Sequence, residues 1–200
     1  MIVRYLTHPQ VAIDPTVAVE HWGLNAVGRG RLESFKSAEA LRKTRSIVSS
    51  AETKAIETAQ PIADALGIEL IIRERMHEND RTATGYLPPD EFEAVADQFF
   101  AKPDHSIRGW ERAVDAQTRI VAETMSALDH APDGDVLLVG HGGVGTLLMC
   151  HLAHRPIDRS NDQTGGGGGN VFGFERRSYM LRHGWQPMEM LNDPQRANLK

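Results

Sequence analysis

The run Asp135-Val-Leu-Leu-Val-Gly-His-Gly-Gly-Val-Gly constrains this chain more than any other feature of its sequence. Residues 135–140 carry no polar alternation after the leading aspartate, so they read as a strand buried on both faces, the kind found inside parallel sheets. Glycines at 140, 142 and 143 allow a sharp turn, and the apolar residues 144–152 read as the helix that follows. A strand running directly into a helix is half of a βαβ unit, and it sets the expectation of a sheet covered by helices.

The rest of the chain repeats that alternation. Residues 2–6, 46–49 and 69–72 read as strands; residues 28–43, 52–66 and 112–128 read as helices, the second stopped by Gly67. Ser49 with Glu52 fits a capping box, which would start a helix right after the second strand. The pattern predicts an α/β fold, a three-layer α/β/α sandwich with a mostly parallel central sheet. Residues 79–107 are rich in polar residues and in turn signals such as Pro88-Pro89, and they read as a small inserted cap. The chain has 200 residues, 40% of them hydrophobic, which suits one domain over 1–200 rather than two. Near the C-terminus, 178–182 and 186–191 read as strands around a turn at Gly184. This segment either covers a sheet edge of its own chain or pairs two chains as a homodimer. Residues 163–169 include five consecutive glycines and read as a surface loop that could also cradle an anion.

Charge and cysteine content narrow the function classes. Lys and Arg total 22 against 27 Asp and Glu, a net charge of -5, so no nucleic-acid footprint is expected and any bound anion must be held by a local cluster. The first residues carry Arg4 and break at Thr7-His8-Pro9, without the long apolar core of a signal peptide or membrane span. The single cysteine, Cys150, lies in an apolar stretch and reads as a buried inert thiol. These features predict a cytoplasmic protein with no membrane partner.

Three segments bring polar groups to strand ends. His8 follows the first strand, Ser49-Ser50 the second and His141 the strand at 135–140, and the carboxyl ends of parallel strands are where such sheets bind ligands. Either histidine alone would read as structural. Together, with a helix N-terminus and Lys54 beside them, they point to an anion site. Residues 140–145 also spell G-x-G-x-x-G, but 155–158 does not read as the hydrophobic second strand a dinucleotide site needs. The pair His151 and His154 lacks accompanying ligands, so no metal is assigned.

In this order the segments resemble the histidine phosphatase (phosphoglycerate-mutase-like) superfamily. That family has Arg-His-Gly after its first strand, a Ser-rich strand end leading into an Arg-Ala helix, a glutamate beyond the third strand and a late Gly-His-Gly. Here those places hold Thr7-His8-Pro9, Ser49-Ser50 through Lys54-Ala55, Glu78, and Gly140-His141-Gly142. The segment from Trp22 to Gly28 resembles an early family motif, and Trp185 through Asp193 its closing strand. Arg182-His183-Gly184 spells the signature literally, but the position of His8 after the first strand decides the assignment.

The resemblance implies a metal-independent phosphomonoester hydrolase without cofactors, acting on a small phosphorylated substrate. His8 would form a phosphohistidine and His141 would stabilise the transferring oxygens. Glu78 would act as acid and base, with Asp80 as its competitor. Thr7, Lys54, Arg81 and Asn25 would contact phosphate. Thr7 and Lys54 replace the family's two arginines, and losing one charge-assisted bond costs about 1.5–3 kcal/mol. Arg4 is four residues back on the strand, roughly 13 Å away, so Arg81 is the better substitute. The alternative is a non-catalytic phospholigand- or partner-binding protein on the same fold.

Overall fold

β1 (Ile2–Thr7) and β4 (Asp135–Gly140) are buried along almost their whole length, which is why both read as mostly apolar, and Arg4 within β1 pairs with Asp135 at 3.2 Å. The computed structural model describes residues 1–163, 165 and 167–192. The other strands are β2 (Thr44–Ser50), β3 (Leu70–Arg73), β5 (Asn170–Glu175) and β6 (Leu181–Pro187). Among the described residues they form one sheet of order β3-β2-β4-β1-β5-β6. The first four are mutually parallel; β5 runs antiparallel to β1, and β6 to β5.

Side chains alternate between the two faces of the sheet. Leu6, Ile47, Leu137, Val139 and Val171 pack with residues of α1 (Ala26–Phe35) and α2 (Thr53–Leu66). On the opposite face Val3, Tyr5, Val136, Leu138 and Phe172 pack with residues of α3 (Pro89–Ala101), α4 (Ala113–His130) and α5 (Gly142–Leu152). Each such side chain contributes roughly 1.5–3 kcal/mol, whereas an exposed pair such as Arg112–Asp115 is screened by solvent and adds little, so the two faces hold the fold together. The expected three-layer α/β/α sandwich is therefore the observed one.

Register sets the site. Thr7 aligns with Gly140 and Ser49 with Val139, so His8, Ser50 and His141 emerge together on one rim. Leu6 aligns with Val171 of β5, which brings the glycine-rich stretch back over the same rim, where Gly169 N–H donates to the His8 carbonyl at 3.0 Å.

Four local expectations are corrected. The helix expected over 28–43 starts at Ala26 and ends at Phe35, with a separate 3-10 turn at Glu39–Leu41. The buried residues Leu32, Phe35, Ala38 and Leu41 recur every three positions; a straight α-helix would carry the last of them round to the solvent side, so the chain breaks at Lys36. The capping box does not form: Ser49 stays in β2 with its hydroxyl on the Ser50 carbonyl, and Glu52 is the N-cap of α2. The C-terminal hairpin is shifted. β5 was not expected, Gly184 lies inside β6, and Tyr179, with φ of 59°, is in the turn. The expected strand over 186–191 ends at Pro187, followed by a 3-10 turn over Met188–Asn192, and Asp193 lies outside the described residues. The segment 79–107 is partly helical: α3 buries Val95, Phe99 and Phe100 in the core with Trp110. Of the glycine-rich stretch, Thr164 and Gly166 lie outside the described residues.

Candidate active site

The His8 and His141 rings meet edge to face with centroids 5.4 Å apart. His8 Nδ1 lies 2.9 Å from the Pro9 carbonyl, which can only accept, so Nδ1 carries the hydrogen and Nε2 of the neutral ring keeps its lone pair. His141 is fully buried, with Nε2 2.8 Å from Ser50 Oγ and 3.4 Å from Glu52 Oε1, while its Nδ1 has no partner among the described residues. Tyr5 fixes the backbone here: its hydroxyl donates to the His141 carbonyl at 3.3 Å and accepts from the His141 N–H at 3.1 Å. A Cβ at Gly140 would lie 2.4 Å from that hydroxyl, so glycine is required at this strand end.

Burial sets the ionisation of the pair. It pushes His8 down to about 4, with help from the Lys54 and Arg81 charges and partial opposition from the Pro9 carbonyl. It pushes His141 to about 4 as well, against the opposing pull of Glu52 and Glu78. Burial also works to raise Glu52, but His141, Lys54 and the Glu78 N–H together outweigh it and hold the carboxyl at about 2. At neutral pH the site therefore contains two neutral imidazoles beside a charged carboxylate.

Lys54 is buried, and its ammonium donates to Glu52 and, at 2.7 Å, to the Val19 carbonyl. The charge expected to grip phosphate is thus paired within the protein. Thr7 and Asn25 are also committed. The Thr7 hydroxyl donates to Gln163 Oε1 at 3.0 Å and accepts from Asn170 N–H at 3.0 Å. Asn25 caps α1, accepting from Gly28 N–H at 2.9 Å and donating to the Val11 carbonyl at 3.1 Å. Neither side chain offers its polar groups to the rim as expected.

Arg81 does. Its guanidinium carbon lies 4.9 Å from the Phe92 ring centre and 6.0 Å from that of Trp110, and it has no acidic partner among the described residues. The aromatic faces orient the cation while leaving its N–H groups unspent. Asp80 turns instead to the N–H and hydroxyl of Thr82, which hold its carboxyl below the usual range.

Glu78 sits at the N-terminus of α5, where it accepts from the N–H groups of Gly143 at 3.1 Å, Val144 at 2.9 Å and Asn79 at 3.0 Å. A helix N-terminus is a ready anion site, and here the chain's own carboxylate fills it. Two cavities meet at Glu78, Asn79 and Arg81: one of about 430 Å³ that also contains His8 and Gln163, and one of about 630 Å³ walled by Val17, Val19, Glu20 and Tyr86. Sequence patterns assign no site role to Glu52 or Asn79, and Gln163 enters only as the first residue of the 163–169 loop that could cradle an anion, not as a side-chain ligand. The spacing of Glu52 two residues before Lys54 was a usable signal. Asn79, whose buried Nδ2 has no partner among the described residues, and Gln163 gave none, because only the fold brings them to the rim. His183 of the literal signature lies on β6 and lines a different cavity.

The sequence profile of the histidine phosphatase superfamily (branch 1) matches residues 18–177, and the chain belongs to that family. His8 lies just before the matched stretch. No curated protein matches significantly. Among solved structures, a mycobacterial glucosyl-3-phosphoglycerate phosphatase is similar at TM-score 0.69 and 20% identity, covering 92% of this chain and 95% of that one. YhfR of Bacillus stearothermophilus gives 0.72 and 21%, covering 92% and 94%. A phosphoserine phosphatase from Entamoeba histolytica, solved with 3-phosphoglyceric acid, gives 0.73 and 15%, covering 92% and 96%. At these identities the likeness is one of fold. Among the described residues no helix is long and apolar enough to cross a membrane.

Proposed function

We propose that this protein is a phosphomonoesterase that works without a metal through a phosphohistidine on His8, as a single cytoplasmic domain over 1–200 with 79–107 as its cap. The observation that carries the reading is His8 itself. Its Nδ1–H is fixed on the Pro9 carbonyl, its ring is neutral at cellular pH, and it lines a cavity shared with the Arg81 guanidinium, which has no acidic partner among the described residues. His8 Nε2 attacks phosphorus and the P–O bond to the alcohol breaks. Glu78 gives the departing oxygen its proton. Water then attacks the phosphohistidine, the P–N bond breaks and the water proton passes to Glu78. Glu78 rather than Asp80 takes this part because it borders both cavities, including the one that contains His8, whereas Asp80 lines only the larger one and its carboxylate is turned to Thr82. Arg81 and His141 Nδ1 take the phosphoryl oxygens.

The competing reading is a phospholigand binder without turnover. It is favoured by the pairing of Lys54 with Glu52 and by the three backbone N–H groups that hold Glu78. Hydrolysis of 4-nitrophenyl phosphate and a panel of sugar, nucleotide and acyl phosphates separates the two. Turnover that survives chelation, is absent in His8→Ala and leaves an acid-labile phosphoryl label on wild type supports the esterase. Phosphate binding with no turnover above His8→Ala selects the binder.

A further inference from the structure

We propose that Gln163 donates from its side-chain amide to the phosphoryl group, in the place left without a donor by Thr7. The inference rests on the phosphatase reading and adds a binding residue to it. Thr7 is buried, and its hydroxyl donates to Gln163 Oε1 at 3.0 Å; Asn170 Nδ2 donates to the same oxygen at 2.9 Å. The single Thr7 hydrogen has a second acceptor within reach, the Asn170 carbonyl, but at the longer distance of 3.3 Å, so the assignment that satisfies both Thr7 and Asn170 Nδ2 puts the amide oxygen on this side. Nε2 therefore faces the other way. It lies against the first residue of α5, where a Cβ added to Gly142 would come within 2.3 Å of it.

This is the cavity that contains His8 and Arg81. Among the described residues the Nε2 hydrogens have no acceptor. The arrangement makes chemical sense of the substitution at position 7. An arginine there would reach the phosphoryl oxygens itself. A threonine is too short, but its hydroxyl anchors a second side chain whose free end is a donor. Arg81 supplies the charge and Gln163 a neutral N–H, which divides between two residues what one guanidinium does bidentately. The glycines of the same loop let it approach: a Cβ at Gly168, where φ is +69°, would lie 2.1 Å from the His8 carbonyl oxygen.

A purely structural brace predicts something different from a donor, and two variants separate them. Gln163→Glu keeps an oxygen for Thr7 and Asn170 but turns the donor end into a carboxylate. Gln163→Met removes the donor without adding charge. The readouts are the inorganic phosphate dissociation constant, kcat/KM on 4-nitrophenyl phosphate, and Tm. For a donor, Gln163→Met loses about 10²-fold in kcat/KM with a parallel weakening of phosphate binding, in line with the loss of one transition-state donor. Gln163→Glu loses more while keeping the wild-type Tm. Phosphate affinity and turnover within threefold of wild type in Gln163→Met overturn the inference and leave the phosphatase reading standing. A wild type that neither binds phosphate nor turns over substrate removes both.

Discussion

Glu52 Oε1 stands 3.4 Å from His141 Nε2, on the side of the ring away from the unpartnered Nδ1. A carboxylate held at one nitrogen lets the ring accept a proton at the other when an anion arrives there. In the free protein burial keeps His141 neutral, at about 4, so anion binding near neutral pH should draw a proton into the site. Sulfate is the clean probe because it does not itself titrate in this range. Calorimetry at pH 6.5 in buffers of different ionisation enthalpy is expected to show uptake approaching one proton per sulfate bound by wild type. His141→Gln should bind more weakly and without that uptake. Buffer-independent heats for wild type would mean that the ring stays neutral when the anion binds.

The same carboxylate has a structural task. Lys54 is 3% exposed and Glu52 is its acidic partner, so Glu52→Gln leaves a buried ammonium without its counter-charge. Breaking one side of such a pair costs about 3–5 kcal/mol, whereas replacing both sides can be close to neutral. Denaturant unfolding should therefore show a large loss for Glu52→Gln and a smaller one for the double variant Glu52→Gln with Lys54→Met. Additive losses in this cycle would show that the two residues are not coupled.

Acid stability follows from what burial does to these groups. His8 and His141 fall from 6.5 when unfolded to about 4 when folded, so between these values the unfolded chain binds more protons and stability drops as pH is lowered. Glu52, at about 2 against 4.5, acts in the same direction at lower pH. A tenfold change in proton affinity is worth about 1.36 kcal/mol, so His141 alone contributes on the order of 3 kcal/mol. Tm is expected to decline from pH 6.5 downward, less steeply in His141→Gln than in wild type. A flat Tm between pH 6.5 and 4.5 would contradict the buried neutral pair.

What the sequence disclosed depended on how local the determinants were. β4, His141 and α5 are contiguous, and the apolar run marks its own burial, so that unit was legible in full. His8 and His141 could be joined because strand ends in a parallel sheet share a rim. β5 was hidden because Gly173 interrupts its apolar pattern and glycines precede it, and it forms by pairing with β1, more than 160 positions earlier. Thr7, Asn25 and Lys54 sit at the expected chain positions, but their polar atoms are taken by Gln163, Gly28 and Glu52, partners that a motif does not specify. Identity at a motif position indicates where a residue lies; which group it bonds depends on everything packed around it.

The cavity beyond Arg81 makes a prediction about the alcohol. Its walls combine the apolar surfaces of Val17, Val19 and Tyr86 with the acids Glu20 and Asp80, and Arg81 on its boundary is the cation assigned to phosphate. Asp80 stays ionised because Thr82 stabilises its charged form. An alcohol with a carboxylate of its own meets like charge there, while a neutral one does not. Glycerol 2-phosphate and 2-phosphoglycerate are close in size and differ in that charge. The ester of the neutral alcohol is expected to have about a 10-fold higher kcat/KM at low ionic strength, the effect of roughly 1.4 kcal/mol of repulsion across a solvated cavity. Salt at 1 M should narrow the gap by shortening the screening length to about 3 Å. Asp80→Asn should narrow it without salt. A preference for 2-phosphoglycerate that Asp80→Asn leaves unchanged would place the alcohol outside this cavity.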